Sequence, residues 1–227
     1  MILPMNKPYT WTSFDVVKKV KNQIGKRLHQ ELNVRLKSFK VGHAGTLDPL
    51  AEGLVIVCTG KATKKISELM ADEKEYVATI EIGKTTPSYD LETDYDKTFP
   101  IDHINEMMVK DVLKTFIGEQ DQIPPVYSAK NVNGRRAYDY ARKGEELVLK
   151  ANKITITEIE LLEYNMPTIT IKVVCGKGTY IRTLAYDIGI RLNSGGHLIK
   201  LIRTRIGNYK IEDSLTIDDL EKELINL

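Results

Sequence analysis

The sequence predicts an α+β fold with a mixed, mostly antiparallel central sheet flanked by helices and loops. Three observations carry that expectation. Helix-like and strand-like segments intermix without a repeating βαβ rhythm, which argues against a doubly wound parallel sheet. Tyr76, Ala78, Ile80 and Ile82 alternate with Val77, Thr79 and Glu81, the period of a half-buried strand. Residues 152–162 and 168–175 are both β-rich and can pair around Asn165-Met166-Pro167. No repeat, low-complexity tract or linker breaks the 227 residues, so a single domain over 1–227 is expected.

The elements follow in order. Thr12 or Ser13 can cap a helix with apolar residues at Val16, Val17, Val20, Ile24 and Leu28, and Lys18, Lys19 and Lys21 off that stripe. A basic connector, Arg35 to Lys40, leads into a Gly-rich turn over 42–53, and Leu54 to Cys58 reads as a buried strand. A short helix turns Ala62, Ile66 and Leu69 inward, and the alternating strand at 76–82 follows. Residues 84–101 read as an acidic, Pro-containing loop. Asp102 is a candidate cap for a helix over 103–117 with stripe Ile104, Met108, Val112 and Phe116, ended by Gly118. Pro124-Pro125 opens an irregular segment through Gly134, and Arg135 to Lys143 can form a short helix that stops at Gly144. After the strand pair, Thr179 can cap a helix holding Ile181, Leu184, Ala185 and Ile188. A strand over 198–206 and an acidic helix near 217–226 close the chain.

Composition excludes several classes. No apolar run approaches membrane-spanning length, and the start lacks the layout of a secretory signal. Cys58 and Cys175 each lie in apolar runs and read as buried thiols. The histidines, His29, His43, His103 and His197, lack ligand spacing, so no zinc site is expected. A reducing cytoplasm fits. The net charge of +2 hides segregation: 14 Asp/Glu against 5 Lys/Arg in 68–121 give −9, and 6 against 1 in 212–227 give −5, leaving +16 for the remainder. A surface that basic attracts a polyanion.

Three motifs can carry chemistry. In Gly42-His43-Ala44-Gly45-Thr46-Leu47-Asp48-Pro49, proline biases Asp48 toward an extended backbone, and the glycines permit tight turns and close approach of a ligand. Two readings stay open, an Asp capping its own turn and a presented carboxylate on a fixed loop. Gly53 to Gly60-Lys61-Ala62-Thr63 is not a P-loop, because the glycine spacing and the residue after Lys61 are wrong. Pro124 to Tyr138 interleaves Tyr127 and Tyr138 with Lys130, Arg135 and Arg136, which suits RNA. Lys177 to Thr183 follows a strand and opens a helix; Arg182 there is a candidate ion-pair partner for Asp48.

Together these blocks resemble the bacterial tRNA pseudouridine synthases of the TruB family. The matching stretches are Leu3 to Pro8 with Thr12-Ser13, Val41 to Gly53, Gly60 to Lys64, Lys74 to Tyr76, Pro125 to Lys130, Lys177 to Arg182, and Gly196-His197-Leu198 with Leu201, Arg203-Thr204 and Gly207. The resemblance implies a pseudouridine synthase fold and isomerisation of the T-loop uridine (uridine-55) of tRNA, with no cofactor and no metal. It makes Asp48 the nucleophile, Tyr76 the ring stacked on a flipped base, and Tyr180 and Leu201 pocket residues. It makes Arg182 the partner of the nucleophile and His43 a contact for displaced T-loop nucleotides. Lys64, Asp90, Lys130 and Arg203 fall among candidate RNA contacts. Pro87 stands where the family pattern suggests an acidic residue, and no C-terminal PUA-type RNA-binding domain is expected. The expected state is a cytoplasmic monomer whose partner is the T arm. The rivals are a guide-RNA-dependent synthase and a non-catalytic tRNA-binding module.

Overall fold

The computed structural model describes residues 1–32, 39–132 and 134–226. Most of the basic connector expected at Arg35 to Lys40 therefore lies outside the described residues, as does Asn133. Along the chain come β1 (Ile2–Lys7), α1 (Ser13–Leu32), β2 (Val41–Ala44), β3 (Glu52–Thr59), α2 (Ile66–Ala71) and β4 (Lys74–Ile82). Then come β5 (Lys84–Thr85), β6 (Lys97–Thr98), α3 (Glu106–Lys114), β7 (Gly118–Gln122), β8 (Asn131–Val132), β9 (Arg135–Arg136) and α4 (Ala137–Ala141). The chain continues through β10 (Asn152–Asn165), β11 (Thr168–Cys175), α5 (Ile181–Arg191), β12 (Gly196–Ile206), β13 (Tyr209–Lys210) and α6 (Ile217–Asn226). It divides into two compact units, Met1–Tyr76 with Leu201–Leu227, and Val77–Lys200.

In the first unit β3 is the central strand. It pairs antiparallel with β1 and β2 and, over Glu52 and Gly53, parallel with β12. Its residues Gly53 to Thr59 are all buried, as a strand covered on both faces requires. Leu54, Ile56 and Cys58 join Ala44, Leu69 and Ile206 in one apolar cluster. Helix α1 packs on β2, β3 and α6, with Val16, Val20 and Ile24 inward. A reciprocal cap starts it: the Asp15 amide donates to Thr12 Oγ1 at 3.0 Å, and the Thr12 amide donates to Asp15 Oδ2 at 2.9 Å.

In the second unit β4, β11, β10 and β7 lie in that order. Register pairs Ile171 with Leu161, and Gln122 with Asn152. The expected hairpin over 152–175 is therefore present, with its first strand extended to Asn165. The alternation in β4 is complete, from buried Lys74 to buried Ile82. Helix α3 packs on β10 and α5.

Several boundaries differ from expectation for local reasons. Asn105, not Asp102, caps α3, its side chain accepting from the Met108 amide at 3.0 Å. The buried face of α3 is consequently centred on Val109 and Leu113 rather than on Met108 and Val112. Thr179 does not cap α5. Its hydroxyl donates back to the Gly176 carbonyl at 3.0 Å, and Tyr180 takes the capping position without a side-chain bond. The acidic stretch 84–101 contains a short antiparallel pair, β5 with β6. The short helix before Gly144 covers only Ala137 to Ala141.

Candidate active site

Asp48 lies in the loop between β2 and β3, and every carbonyl from Gly45 to Pro49 is held. Arg203 Nη2 donates to Gly45 O at 3.2 Å and Nη1 to Thr46 O at 3.4 Å, while Nε donates to Leu54 O at 2.7 Å. Ser13 Oγ donates to Leu47 O at 3.2 Å and accepts from the Leu47 amide at 2.8 Å. The Ala51 amide donates to Asp48 O at 3.1 Å, and the Thr10 amide to Pro49 O at 2.9 Å. Asp48 itself is half-buried. The loop is thus fixed through its backbone while Asp48 stays partly exposed, the layout a presented reactive group needs. This favours the second of the two readings left open by the sequence.

Gly53 makes the clamp possible. Its φ is +104°, and a Cβ there would stand 2.4 Å from Arg203 O. Only glycine lets β12 run this close and bring the Arg203 side chain under the loop. Arg203 is 1 % exposed, so it sits behind the turn rather than at a surface open to RNA.

Lys7 is the second buried cation. Fully buried, it donates to Trp11 O at 2.6 Å, Pro8 O at 3.1 Å and Pro49 O at 3.4 Å. Burial pushes its ammonium down to about 8, against the pull of the Asp48 and Glu52 carboxylates and helped by the Arg203 charge. His43 sits on β2, paired with Val57. Burial, with Arg203 adding to it, lowers its pKa, so the ring is neutral at neutral pH. Its Nδ1 is buried without a hydrogen-bond partner. Tyr76 on β4 and Leu201 on β12 are buried in this unit, while Lys64 is exposed in the 3-10 turn Gly60–Lys65.

The second unit holds Arg182, Asp90, Tyr180 and Lys130. Arg182 is buried in the first turn of α5. Its Nη1 donates to Tyr127 O at 2.9 Å and Ser88 O at 3.4 Å and lies 3.5 Å from Asp90 Oδ2. Asp90 is buried too, its Oδ1 accepting from the Glu92 amide at 2.9 Å. Thr86 and Ser88 hydroxyls both donate to the Asp90 carbonyl, at 2.7 and 3.2 Å. Backbone groups of Tyr127, Ser88 and Glu92 thus hold both members of this buried pair in place. Tyr180 is half-buried and held by one side chain: its amide donates to Gln122 Oε1 at 2.8 Å, and Gln122 Nε2 donates to its carbonyl at 3.1 Å. Lys130 Nζ donates to Asn152 Oδ1 at 2.8 Å. In the basic-aromatic segment, Arg135 lies 4.0 Å from the Tyr140 ring and Arg142 5.3 Å from Tyr138.

Sequence reasoning assigned no role to Lys7 or Gln122, and gave Ser13 only a capping role. Lys7 follows polar Asn6 at the end of β1, and Gln122 closes a wholly polar strand, so neither carries a local signal. Ser13 carries none, because its partner is 34 residues away.

Known proteins share this architecture. The chain superposes on a chain from the structure titled "Crystal Structure of a Cbf5-Nop10-Gar1 Complex" with a TM-score of 0.72 at 29% identity, over 97% of this chain and 53% of that one. The class is that of the pseudouridylate synthases: the model described as "TruB family pseudouridylate synthase (N terminal domain)" matches residues 31–181. The "tRNA pseudouridylate synthase B C-terminal domain" matches residues 182–226. A protein of Phocaeicola vulgatus named tRNA pseudouridine synthase B is 54% identical over 98% of this chain and 92% of its own length. One of Bacteroides fragilis with the same name is 58% identical over 94% and 89%. The chain belongs to the TruB family, and its α+β fold is the pseudouridine synthase fold.

Proposed function

We propose that this protein isomerises the T-loop uridine of tRNA to pseudouridine, with Asp48 as nucleophile. The observation that carries the reading is the Asp48 loop, with five consecutive carbonyls tied down around a partly exposed Asp48. The names of the relatives from Phocaeicola vulgatus and Bacteroides fragilis supply the tRNA substrate. At that level of identity the guide-RNA-dependent reading is not favoured.

The reaction breaks the bond between N1 of uracil and ribose C1′, turns the base, and joins C5 to C1′. The hydrogen on C5 leaves as a proton and N1 gains one, so no redox partner is needed. Asp48 adds to the ring or to C1′ as a covalent handle. The uridine leaves its stack to reach it. Tyr76 stacks on the flipped base, Tyr180 and Leu201 line its pocket, and Arg182, oriented by Asp90, is the partner of the nucleophile. Neutral His43 contacts the displaced loop nucleotides, and Lys64 and Lys130 take RNA. Arg203 serves by holding the loop. The protein works as a cytoplasmic monomer, a single catalytic domain; no described helix is long and apolar enough to cross a membrane.

T-arm RNA carrying C5-tritiated uridine tests this. The wild type releases tritium. Asp48→Asn loses release by about 10^3-fold or more, the scale of removing a nucleophile, with tRNA affinity retained within a fewfold. Normal turnover by Asp48→Asn, or no release by the wild type, overturns the assignment.

A further inference from the structure

A second feature of the first unit lies just behind the Asp48 loop and has no part in the chemistry above. The chain exposes Tyr9, 48% accessible, between β1 and α1, and Phe14, 67% accessible, in the first turn of α1. From Phe14 an exposed face runs down α1 at helical spacing through Lys18, Asn22 and Lys26. At 1.5 Å per residue that face is about 18 Å long. Lys18 and Asn22, with Thr10, Trp11, Asp15 and Lys19, line an open cleft of about 360 Å³. Asp15 is committed to the helix cap, its Oδ2 accepting from the Thr12 hydroxyl at 2.6 Å.

The cleft is tied to the catalytic loop. Thr10 has φ +70°, a left-handed conformation that a β-branched residue rarely adopts. Its amide donates to the carbonyl of Pro49, the residue after Asp48. Backbone outliers of this kind gather at ligand clamps. Exposed aromatic rings are costly surface unless something covers them, and rings alternating with lysines suit unstacked bases and phosphates. A cleft of this volume is in the range that takes a single nucleotide.

We propose that this cleft and the exposed face of α1 form a second RNA-binding surface. An unpaired nucleotide sits against Trp11 and Phe14, and the adjoining phosphodiesters lie on Lys18 and Lys26. The surface grips the same tRNA outside the nucleotides held around the reacting uridine, so it rests on the function proposed above. It supplies affinity and not chemistry.

The test compares full-length tRNA binding and tritium release for three exposed-surface variants. Lys18→Glu/Lys26→Glu weakens tRNA binding about tenfold and lowers the magnitude of the log-log salt slope by about 2, one for each phosphate contact. Phe14→Ala weakens binding about fivefold with an unchanged salt slope, as loss of a stacking platform does. Both keep turnover at saturating tRNA within about twofold of wild type. Lys110→Glu/Lys114→Glu on α3 is the control for bulk charge and leaves binding unchanged. If Lys18→Glu/Lys26→Glu and Phe14→Ala bind tRNA as wild type does, the face serves a protein or only solvent, and the proposal is overturned. It is equally overturned if the α3 control weakens binding as much. A wild type that neither binds tRNA nor releases tritium overturns the function itself, an outcome distinct from both.

Discussion

At the scale of single residues, the site depends on two buried cations with different jobs. Arg203 spreads three bonds over Gly45, Thr46 and Leu54 carbonyls, a span that suits a planar fork with fixed donors. Lys7 points one ammonium at Trp11, Pro8 and Pro49 carbonyls. Its charge resists burial, and this makes it testable. The folded-state pKa is about 8 and the ordinary value 10.5. Between those values the unfolded chain holds the proton and the folded chain does not, so the Lys7 contribution to stability rises as pH rises through that window. Urea unfolding of wild type and Lys7→Met from pH 7 to 10.5 should show the wild type gaining about 2–3 kcal/mol relative to the variant. Parallel curves would mean that the ammonium titrates normally. None of this clamp is readable from the sequence. The glycines, Pro49 and Asp48 are local signals, but Ser13, Lys7 and Arg203 act through carbonyls 34, 42 and 158 residues away.

At the scale of elements, α5 carries Arg182 at its start and a partly buried carboxyl further along. Tyr186 stacks on Tyr89 with centroids 4.3 Å apart, and Tyr89 holds φ +63° in the loop that presents Asp90. The next residue, Asp187, is pushed up to about 6 by burial, with Arg191 opposing. A raised carboxyl pKa means that the folded state holds the proton longer, so this contribution is full below about pH 4 and lost as pH rises through 6. Asp187→Asn removes the penalty. Its stability advantage over wild type should grow by about 1–2 kcal/mol between pH 4 and 7, allowing for the part of the carboxyl that faces solvent. An advantage that stays constant across that range would place the carboxyl in solvent-like surroundings. Elements with strong periodicity, β4 and the β10–β11 hairpin, were legible. Strand β7 was not, because Gly118-Glu119-Gln120-Asp121-Gln122 is wholly polar and pairs with β10 alone. Its last residue, Gln122, is the one that fixes Tyr180. Strand β1 was hidden by Pro4, which pairs opposite Ile56 at a position where sequence patterns argue against a strand.

At the scale of the whole molecule, the boundary between the two compact units passes through β4 and β12. Both strands are continuous across it, so no linker composition marks it. What the sequence does show at this scale is charge. The acidic stretch 68–121 contributes exposed Asp94, Asp96, Asp111, Glu119 and Asp121, while the basic remainder contributes exposed Lys18, Lys26, Lys61, Lys64 and Lys65. A polyanion should therefore engage part of the surface and ignore the rest. Counterion release makes this measurable, since each phosphate neutralised adds roughly 0.7 to 0.9 to the log-log salt slope. A footprint of about six phosphates gives a slope near −4 to −5, a loss of several hundred-fold in tRNA affinity between 50 and 200 mM salt. Asp111→Asn/Glu119→Gln, which removes two exposed negative charges from the acidic segment, should leave both the slope and the affinity nearly unchanged. Filter binding across that salt range checks both statements. A slope shallower than about −2 would show that the basic segments are solvated faces rather than a footprint. A large gain in affinity from the acidic-segment variant would show that RNA reaches that surface as well.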